Sequence, residues 1–598
     1  MPAGHSSRAE RTAFIVLSAV VFAYVALRAM RVPVVHDEAM TFFLFVEPGR
    51  FLPFLSHWDA GNHLLSTALG WLSYSVFGMN AWALRLPSVL AFILFAWYGW
   101  RWGVKLQVPL VRWCFWAAWL LMPFLLDFFS LFRGYGLAMA FWAMPLYELC
   151  ALLENASAKR LTAVLLATAL ATFSSLSLLT LWAAVLAATA LVILRGSLPL
   201  KAIAAWILLG LAPFLFAAVY VHELSQHGNL YYGVSGILDG TVPSLLNVML
   251  GTTNPVAVAV VVLLLLACSL IAFRANRAGE RSFALWALAV GAGFLWLDAT
   301  GRFVLHAWKN TPFPEDRTAL QWVLLFLLLI AFSMDRLARV KSGMQWCALL
   351  LLALPARTLA NVNTSTTVYW PEQAIPGTIF HTVDSLQQAS PHLLTIGAYH
   401  QMPACWGFGM RERGLALNAV DVSEFPHGGE DLLLIDPHRD TVPGGYREVA
   451  FASSGYLTLY ARNSTFTSTL LLDSVLPPVQ GEAEFRELWH PPIWAVQGSA
   501  FLVQLDLSIH PQKEPMTGDL AVVTDAPGAG QHDDHVLLQF MRDPTRTDSI
   551  HTLRHLPAIP QDATRTVVFL WNPARLPYAS SGRLRVYSAE DHPGHAHP

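Results

Sequence analysis

Between residues 12 and 359 the chain repeats one pattern, a run of nearly twenty apolar residues followed by a short polar break. A run of that length crosses the hydrocarbon core of a bilayer as an α-helix, and lipid offers no hydrogen bonds to a more open backbone. The pattern predicts eleven spans, at 12–30, 82–100, 111–128, 134–153, 161–176, 178–194, 202–221, 255–273, 283–299, 319–334 and 344–359. Charged residues are only 13% of the chain against 55% hydrophobic, where soluble proteins carry about a quarter charged. The chain therefore reads as a polytopic α-helical membrane protein, and the remaining stretch of about 240 residues is polar enough to fold outside the bilayer. A net charge of −2 with no basic cluster leaves no footprint for nucleic acid.

Four of the five cysteines, Cys114, Cys150, Cys268 and Cys347, fall in apolar runs, and only Cys405 lies in the tail. The tail then has no internal disulfide, and no cysteine spacing suits a metal. Arg8 and Arg11 precede the first run, which lacks a small-residue cleavage site and reads as an uncleaved signal anchor.

The run His63 to Phe77 is short and carries Ser66, Thr67, Ser73 and Ser75 among its leucines. Placed in the interface as an amphipathic helix, it leaves fifteen basic residues in the inner loops, Arg281 among them, and eight in the outer ones. If it spans, that bias reverses, so the positive-inside rule places the amino terminus inside and the tail outside. Every loop with unusual polar chemistry then opens on the outer face.

The first of these is Arg31-Val32-Pro33-Val34-Val35-His36-Asp37-Glu38-Ala39-Met40, directly after the first run. Ionisable groups at a membrane surface are costly and often functional; alternatively, Asp37 and Glu38 simply cap the helix that follows. Met40 to Leu55 reads as a second interfacial helix. His57-Trp58-Asp59-Ala60-Gly61-Asn62-His63 is a polar turn that, with His36, suits either a metal or ordinary hydrogen bonding, although its spacing matches no ligand motif. The loop His222 to Asn254, with Tyr231-Tyr232-Gly233, suits a lid or a plain connector. The loop 300–318 ends in Phe313-Pro314-Glu315-Asp316-Arg317-Thr318. There Arg317 either holds a phosphate by bidentate hydrogen bonds or pairs with Glu315 or Asp316.

The tail divides in two. Residues 360–462 predict a small α/β unit with strands at 392–399, 415–421 and 431–436. Residues 463–590 alternate apolar and polar at 500–507, 519–524, 535–541, 565–571 and 583–587, which predicts a β-sandwich of jelly-roll type. The last stretch, 591–598, is His- and Pro-rich and reads as a disordered tail.

Several of these segments together resemble the GT-C superfamily of membrane glycosyltransferases, in particular glycosyltransferase family 39 with its protein mannosyltransferases and lipid A aminoarabinose transferases. They are Asp37-Glu38 after the first span; Asn62 in its turn, then Phe77-Gly78 and Arg85-Leu86-Pro87-Ser88; Ser130-Leu131-Phe132-Arg133-Gly134-Tyr135-Gly136-Leu137; and Pro314-Glu315-Asp316-Arg317-Thr318. The resemblance covers roughly residues 10–360, a transmembrane glycosyltransferase domain at 1–359. The chain departs from the family in reading Asn62-His63-Leu64-Leu65 where many members have His-Pro-Pro-Leu-Tyr, which leaves the donor sugar and the acceptor open.

The resemblance implies an inverting transfer of a sugar from a polyprenyl phosphate to an acceptor hydroxyl on a lipid, glycan or protein. It implies a plasma-membrane location with the tail extracytoplasmic. Asp37 would be the base and Glu38 would orient it or the acceptor. Arg317 would hold the phosphate, with Arg85 and Arg133 as candidates for the same charge, and His36, Asn62, His63 and Tyr135 would line the site. Whether a divalent cation takes part stays open. The alternative is a transporter or flippase for a lipid or polyprenyl-linked substrate, which places ionisable residues near the bilayer midplane. Here almost no ionisable residue lies mid-span; Asp127 and Asp298 stand near the outer ends of their runs.

Overall fold

A computed structural model describes residues 7–196, 198–199, 201–277, 282–423, 429–452, 455–464, 467–512, 518–528, 530–541 and 548–590. Arg281 of the charge comparison and the expected disordered tail at 591–598 lie outside them. The chain forms two units, Met1–Arg31 with Gly49–Thr364 and Val32–Pro48 with Ser365–Pro598.

The first unit is helical. Among the described residues eight helices are long and apolar enough to cross a membrane: Arg8–Arg31, Ala81–Gly103, Gly134–Glu154, Leu176–Leu194, Lys201–Gln226, Pro255–Arg277, Phe283–Lys309 and Ser342–Ala360. A ninth arises if Pro109–Leu120 and Pro123–Phe129, bent by 48°, are one span; Pro123 cannot continue the hydrogen-bond ladder of the helix before it. The sequence predicts eleven. Of the other two runs, 161–176 becomes the 17-residue helix Ala158–Ser174, about 25 Å long against a hydrocarbon core of about 30 Å. The run 319–334 becomes Leu320–Val340, which carries Asp335, Arg336 and Arg339 in its last turns. Asp335 is buried and accepts the Gln107 and Val108 N–H groups at 2.7 and 2.8 Å, satisfying donors at the start of Pro109–Leu120.

The ambiguous run 63–77 is the 14-residue helix Leu64–Phe77. Trp102, Trp116, Trp119, Trp142 and Trp182 are fully buried among the helices. Two acidic residues inside helices are paired there: Asp127 with Arg28, and Asp298 with Arg302 at 3.0 Å and with the Trp322 indole N–H at 2.6 Å. Two loops are more ordered than the sequence predicts. Helix runs on to Gln226 and resumes over Ile237–Leu250 within 222–254, and the first part of 300–318 completes Phe283–Lys309.

The second unit holds the acidic motif and the β-rich region. His36–Thr41 is a short helix that continues into a π-helical turn, Phe42–Val46, so the helix expected over 40–55 is not formed. Phe42, Phe43, Phe45 and Val46 are buried, Phe43 against Phe408 and Phe540, and an aromatic segment that is buried inside the unit has no apolar face to lay on a membrane.

A five-stranded sheet has the order β2-β1-β3-β5-β4, with β1 Ile396–Tyr399, β2 Asp421–Ser423, β3 Leu432–Ile435, β4 Tyr446–Phe451 and β5 Thr458–Arg462. β1 is parallel to β2 and β3, and the last two strands are antiparallel. Helices Gly377–Ala389 and Met402–Arg413 pack on it through Ile379, Phe380 and Trp406. Of the stretch 415–421 expected as strand, only Asp421 is.

Two antiparallel sheets follow, ordered β10-β9-β12-β7 and β11-β8-β13-β6. Their strands are β6 Thr467–Gly481, β7 Phe485–Trp489, β8 Phe501–Pro511, β9 Asp519–Ala526, β10 Gly530–Leu537, β11 Asp548–Leu556, β12 Arg565–Trp571 and β13 Tyr578–Glu590. Alternating inward residues of both sheets, among them Val503, Leu505, Leu520, Val522, Val568 and Leu584, make one core, as a two-sheet sandwich requires. The strand expected over 535–541 stops at Leu537, and Leu538–Met541 turns into a helix.

Candidate functional site

In the second unit Val32–Val35 leads extended into His36–Thr41, with Val35 at φ −94° and ψ 162°. The Glu38 carboxylate is 1% exposed and accepts the Val35 N–H at 3.1 Å, so the simple reading holds for Glu38: it caps its own helix. Asp37 is half-buried. His36 is tied down twice, its N–H donating to Gln373 Oε1 at 3.0 Å and its Nδ1 lying 2.9 Å from the Gln401 carbonyl; the Gln373 amide also donates to Gln401 Oε1 at 2.6 Å. These two glutamines, which no pattern in the sequence marks, fix the motif against the end of β1. Burial pushes the Cys405 thiol up, and the charges of Glu38 and Asp37 push it further. Farther along the motif Glu47 accepts from Arg411 at 2.9 Å.

In the first unit the turn before Leu64–Phe77 is closed by Asp59, whose Oδ1 accepts the Gly61 N–H at 2.6 Å. Asn62 is 1% exposed and its amide donates to the Phe51 carbonyl at 3.1 Å. The polar turn is thus held by ordinary hydrogen bonds. Among the described residues no group of three or more His, Cys, Asp or Glu side chains is placed to hold a metal ion.

His63, 7% exposed, meets the Tyr135 ring edge to face at 4.7 Å. Arg133, 5% exposed, is the N-cap residue of Gly134–Glu154, and its guanidinium stands 5.9 Å from the Tyr135 ring centre. The structure therefore brings His63, Arg133 and Tyr135 together at one helix start, where backbone N–H groups and the helix dipole favour an anion, while the Asn62 amide bonds within its own turn. Arg85 is fully buried in Ala81–Gly103 with Nη1 on the Ala29 carbonyl at 3.1 Å, supporting the end of the first helix.

Arg317 belongs to a second cluster. Its guanidinium lies 4.1 Å from the Tyr232 ring centre and 3.9 Å from Asp316 Oδ1, so the ion pair with Asp316 exists. The Tyr232 hydroxyl donates to Asp316 Oδ2 at 2.6 Å. Burial raises the Glu315 carboxyl, the Asp316 charge adds to this, and Arg317 opposes it.

No protein-family model matches the chain, and no curated protein does. Among solved structures it is similar to ArnT from Cupriavidus metallidurans bound to undecaprenyl phosphate, at 13% identity and a TM-score of 0.42 over 76% of this chain and 98% of that one. The same protein in the apo state gives 13% and 0.41 over 75% and 98%. Arabinosyltransferase EmbB from Mycobacterium smegmatis gives 10% and 0.35 over 100% and 67%. Likeness of this size does not carry an activity across.

Proposed function

We propose that the chain is an inverting glycosyltransferase that moves a sugar from a polyprenyl phosphate to an acceptor hydroxyl at the outer face of the plasma membrane. One observation carries the reading: Arg133, His63 and Tyr135 are packed together where a membrane-length helix begins, with Asn62 in the turn just before His63. A lipid-borne phosphate lies at the bilayer surface, where membrane-spanning helices begin, and a buried arginine at a helix N-cap suits it.

In a single displacement the acceptor oxygen bonds to the anomeric carbon while the bond from that carbon to the phosphate oxygen breaks. The acceptor proton passes to the Asp37 carboxylate, and the electron pair leaves with the polyprenyl phosphate. Arg133 and Arg317 stabilise the charge that grows on the phosphate; Arg85, held on the Ala29 carbonyl, is the weakest of the three candidates. Glu38 keeps the motif in shape and His36 holds its place.

The test is release of sugar from a polyprenyl-phosphate sugar by the purified chain in detergent. Asp37→Asn should fold and insert normally and lose at least about a hundred-fold in turnover; turnover like the wild type removes the base. A transporter or flippase would release no sugar in detergent, where there is no membrane to cross.

A further inference from the structure

His36–Thr41 has six residues, fewer than a helix needs to persist by itself in water. Where Asp37 stands is therefore set by how the motif is tied to the rest of the second unit. Two glutamines tie its start. The His36 N–H donates to Gln373 Oε1 at 3.0 Å, Gln373 Nε2 donates to Gln401 Oε1 at 2.6 Å, and His36 Nδ1 lies 2.9 Å from the Gln401 carbonyl oxygen. A carbonyl accepts and cannot donate, so Nδ1 carries the hydrogen. The Gln373 amide has one workable orientation. Turned over, it would set its NH2 against the His36 N–H and its oxygen against Gln401 Oε1.

Both glutamines sit on well-anchored chain. Gln373, 4% exposed, closes the turn Pro371–Gln373, and the residues after it, Ala374 and Ile375, are buried, Ile375 in the core of the α/β unit. Gln401 is the N-cap residue of Met402–Arg413, just beyond β1. Tyr399, the last residue of β1, accepts the Asp436 N–H at 2.8 Å and donates to Asp440.

We propose that Gln373 is a positioning residue for the base, setting where the Asp37 carboxylate meets the acceptor hydroxyl; this rests on the reading of Asp37 given above. Asp37 stands between two tied neighbours, His36 on the glutamines and Glu38 on the Val35 N–H. Removing the Gln373 oxygen loosens the first of these ties and leaves the second intact, so the short helix keeps its shape while Asp37 shifts. A displacement of about 1 Å at a reacting group costs up to about a hundred-fold in rate.

The experiment is steady-state release of sugar by the full chain in detergent, from an undecaprenyl-phosphate sugar that the wild type turns over, with undecaprenyl phosphate binding and thermal unfolding measured alongside. Gln373→Ala should lower kcat about ten-fold and leave donor KM, undecaprenyl phosphate affinity and the melting temperature as they are. In the Asp37→Asn background the same change should cost nothing further, because Gln373 acts through that carboxylate. Gln373→Glu keeps an oxygen for the His36 N–H and should hold kcat within about three-fold of the wild type. It also places a like charge near the base, so the acid limb of its pH–rate profile should move to higher pH. If Asp37→Asn abolishes turnover but Gln373→Ala does not lower kcat, or lowers it equally in both backgrounds, the positioning role is wrong while the base stands. If Asp37→Asn turns over like the wild type, the base itself fails and takes this role with it. Should Gln373→Ala not fold, the Gln373→Glu profile decides, and an acid limb that stays in place overturns the role.

Discussion

His63 and Tyr135 stand edge to face with ring centres 4.7 Å apart and planes at 72°, and they reach this contact because residue 134 is glycine. A Cβ at 134 would lie 1.9 Å from the Ser174 carbonyl oxygen and 2.7 Å from His63 Cβ. Backbone on one side and a buried side chain on the other leave no easy relaxation. Gly134→Ala should cost ~2–3 kcal/mol of stability through overpacking and should weaken undecaprenyl phosphate binding as His63 is displaced. Thermal unfolding in detergent reads the first effect; a melting temperature equal to that of the wild type would show that the turn before Leu64 yields without cost.

Glu38 and Asp37 are neighbours with opposite expectations. Because Glu38 is buried and caps the Val35 N–H, Glu38→Gln retains an acceptor and should change stability by less than ~0.5 kcal/mol, whereas Glu38→Ala should cost ~1 kcal/mol. Asp37→Asn should leave the melting temperature where it is. Equal stability of the Gln and Ala variants at position 38 would show that the cap contributes nothing.

The sequence patterns that survived in the structure are those that depend on local physics. Hydropathy over twenty residues marks a helix whatever its neighbours do, so most expected runs match helices within a few residues. The interfacial helix over 40–55 is not formed because Phe42, Phe43 and Phe45 are buried in the second unit, a tertiary fact. The strand Thr467–Gly481 passed unnoticed because Pro477-Pro478 reads as a break; β6 lies at the edge of its sheet, where a missing N–H is tolerated. In the candidate site, Asn62, His63, Arg133 and Tyr135 come from stretches that the motifs had marked. In the sequence Tyr232 reads only as loop content, since its partners Asp316 and Arg317 are distant in the chain. Gln373 and Gln401 hold His36, yet lone amides leave no pattern to read.

The Arg28–Asp127 pair is buried on both sides, 1% and 4% exposed, and Arg28 also donates to the Asn363 carbonyl at 2.6 Å. A charge stranded at such a place is far costlier than the pair itself is stabilising. Asp127→Leu alone should therefore cost ~3–5 kcal/mol, while the double change Arg28→Met with Asp127→Leu should recover most of it. Unfolding midpoints in detergent decide; a double variant no better than the single one would mean that the hydrogen bonds to Asn363, rather than the charge balance, hold the first helix.

The second unit carries its own buried charges, and these make its stability depend on pH in an unusual sense. Arg554, 1% exposed, is held by Asp534 at 2.5 Å and by Asp421 at 2.8 Å, joining the five-stranded sheet to the sandwich. Burial raises the Asp421 carboxyl well above its ordinary range, outweighing the pull of Arg554, and burial likewise raises Glu430, where the Asp534 charge adds to it. A carboxyl that is harder to ionise when folded contributes its full stability below the unfolded pKa and loses it as pH rises through the folded one. Asp473 and Glu484, lowered by hydrogen bonds from Arg583 and Arg575, act in the opposite sense, and their contribution is lost only as pH falls below the ordinary range. The loss of β-sheet circular dichroism on heating should therefore move to lower temperature between about pH 5 and pH 8. Glu430→Gln removes one ionisation without changing shape. It should melt with the wild type near pH 4 and above it at pH 8, and parallel profiles for the two chains would show that Glu430 ionises as freely in the folded protein as in the unfolded one.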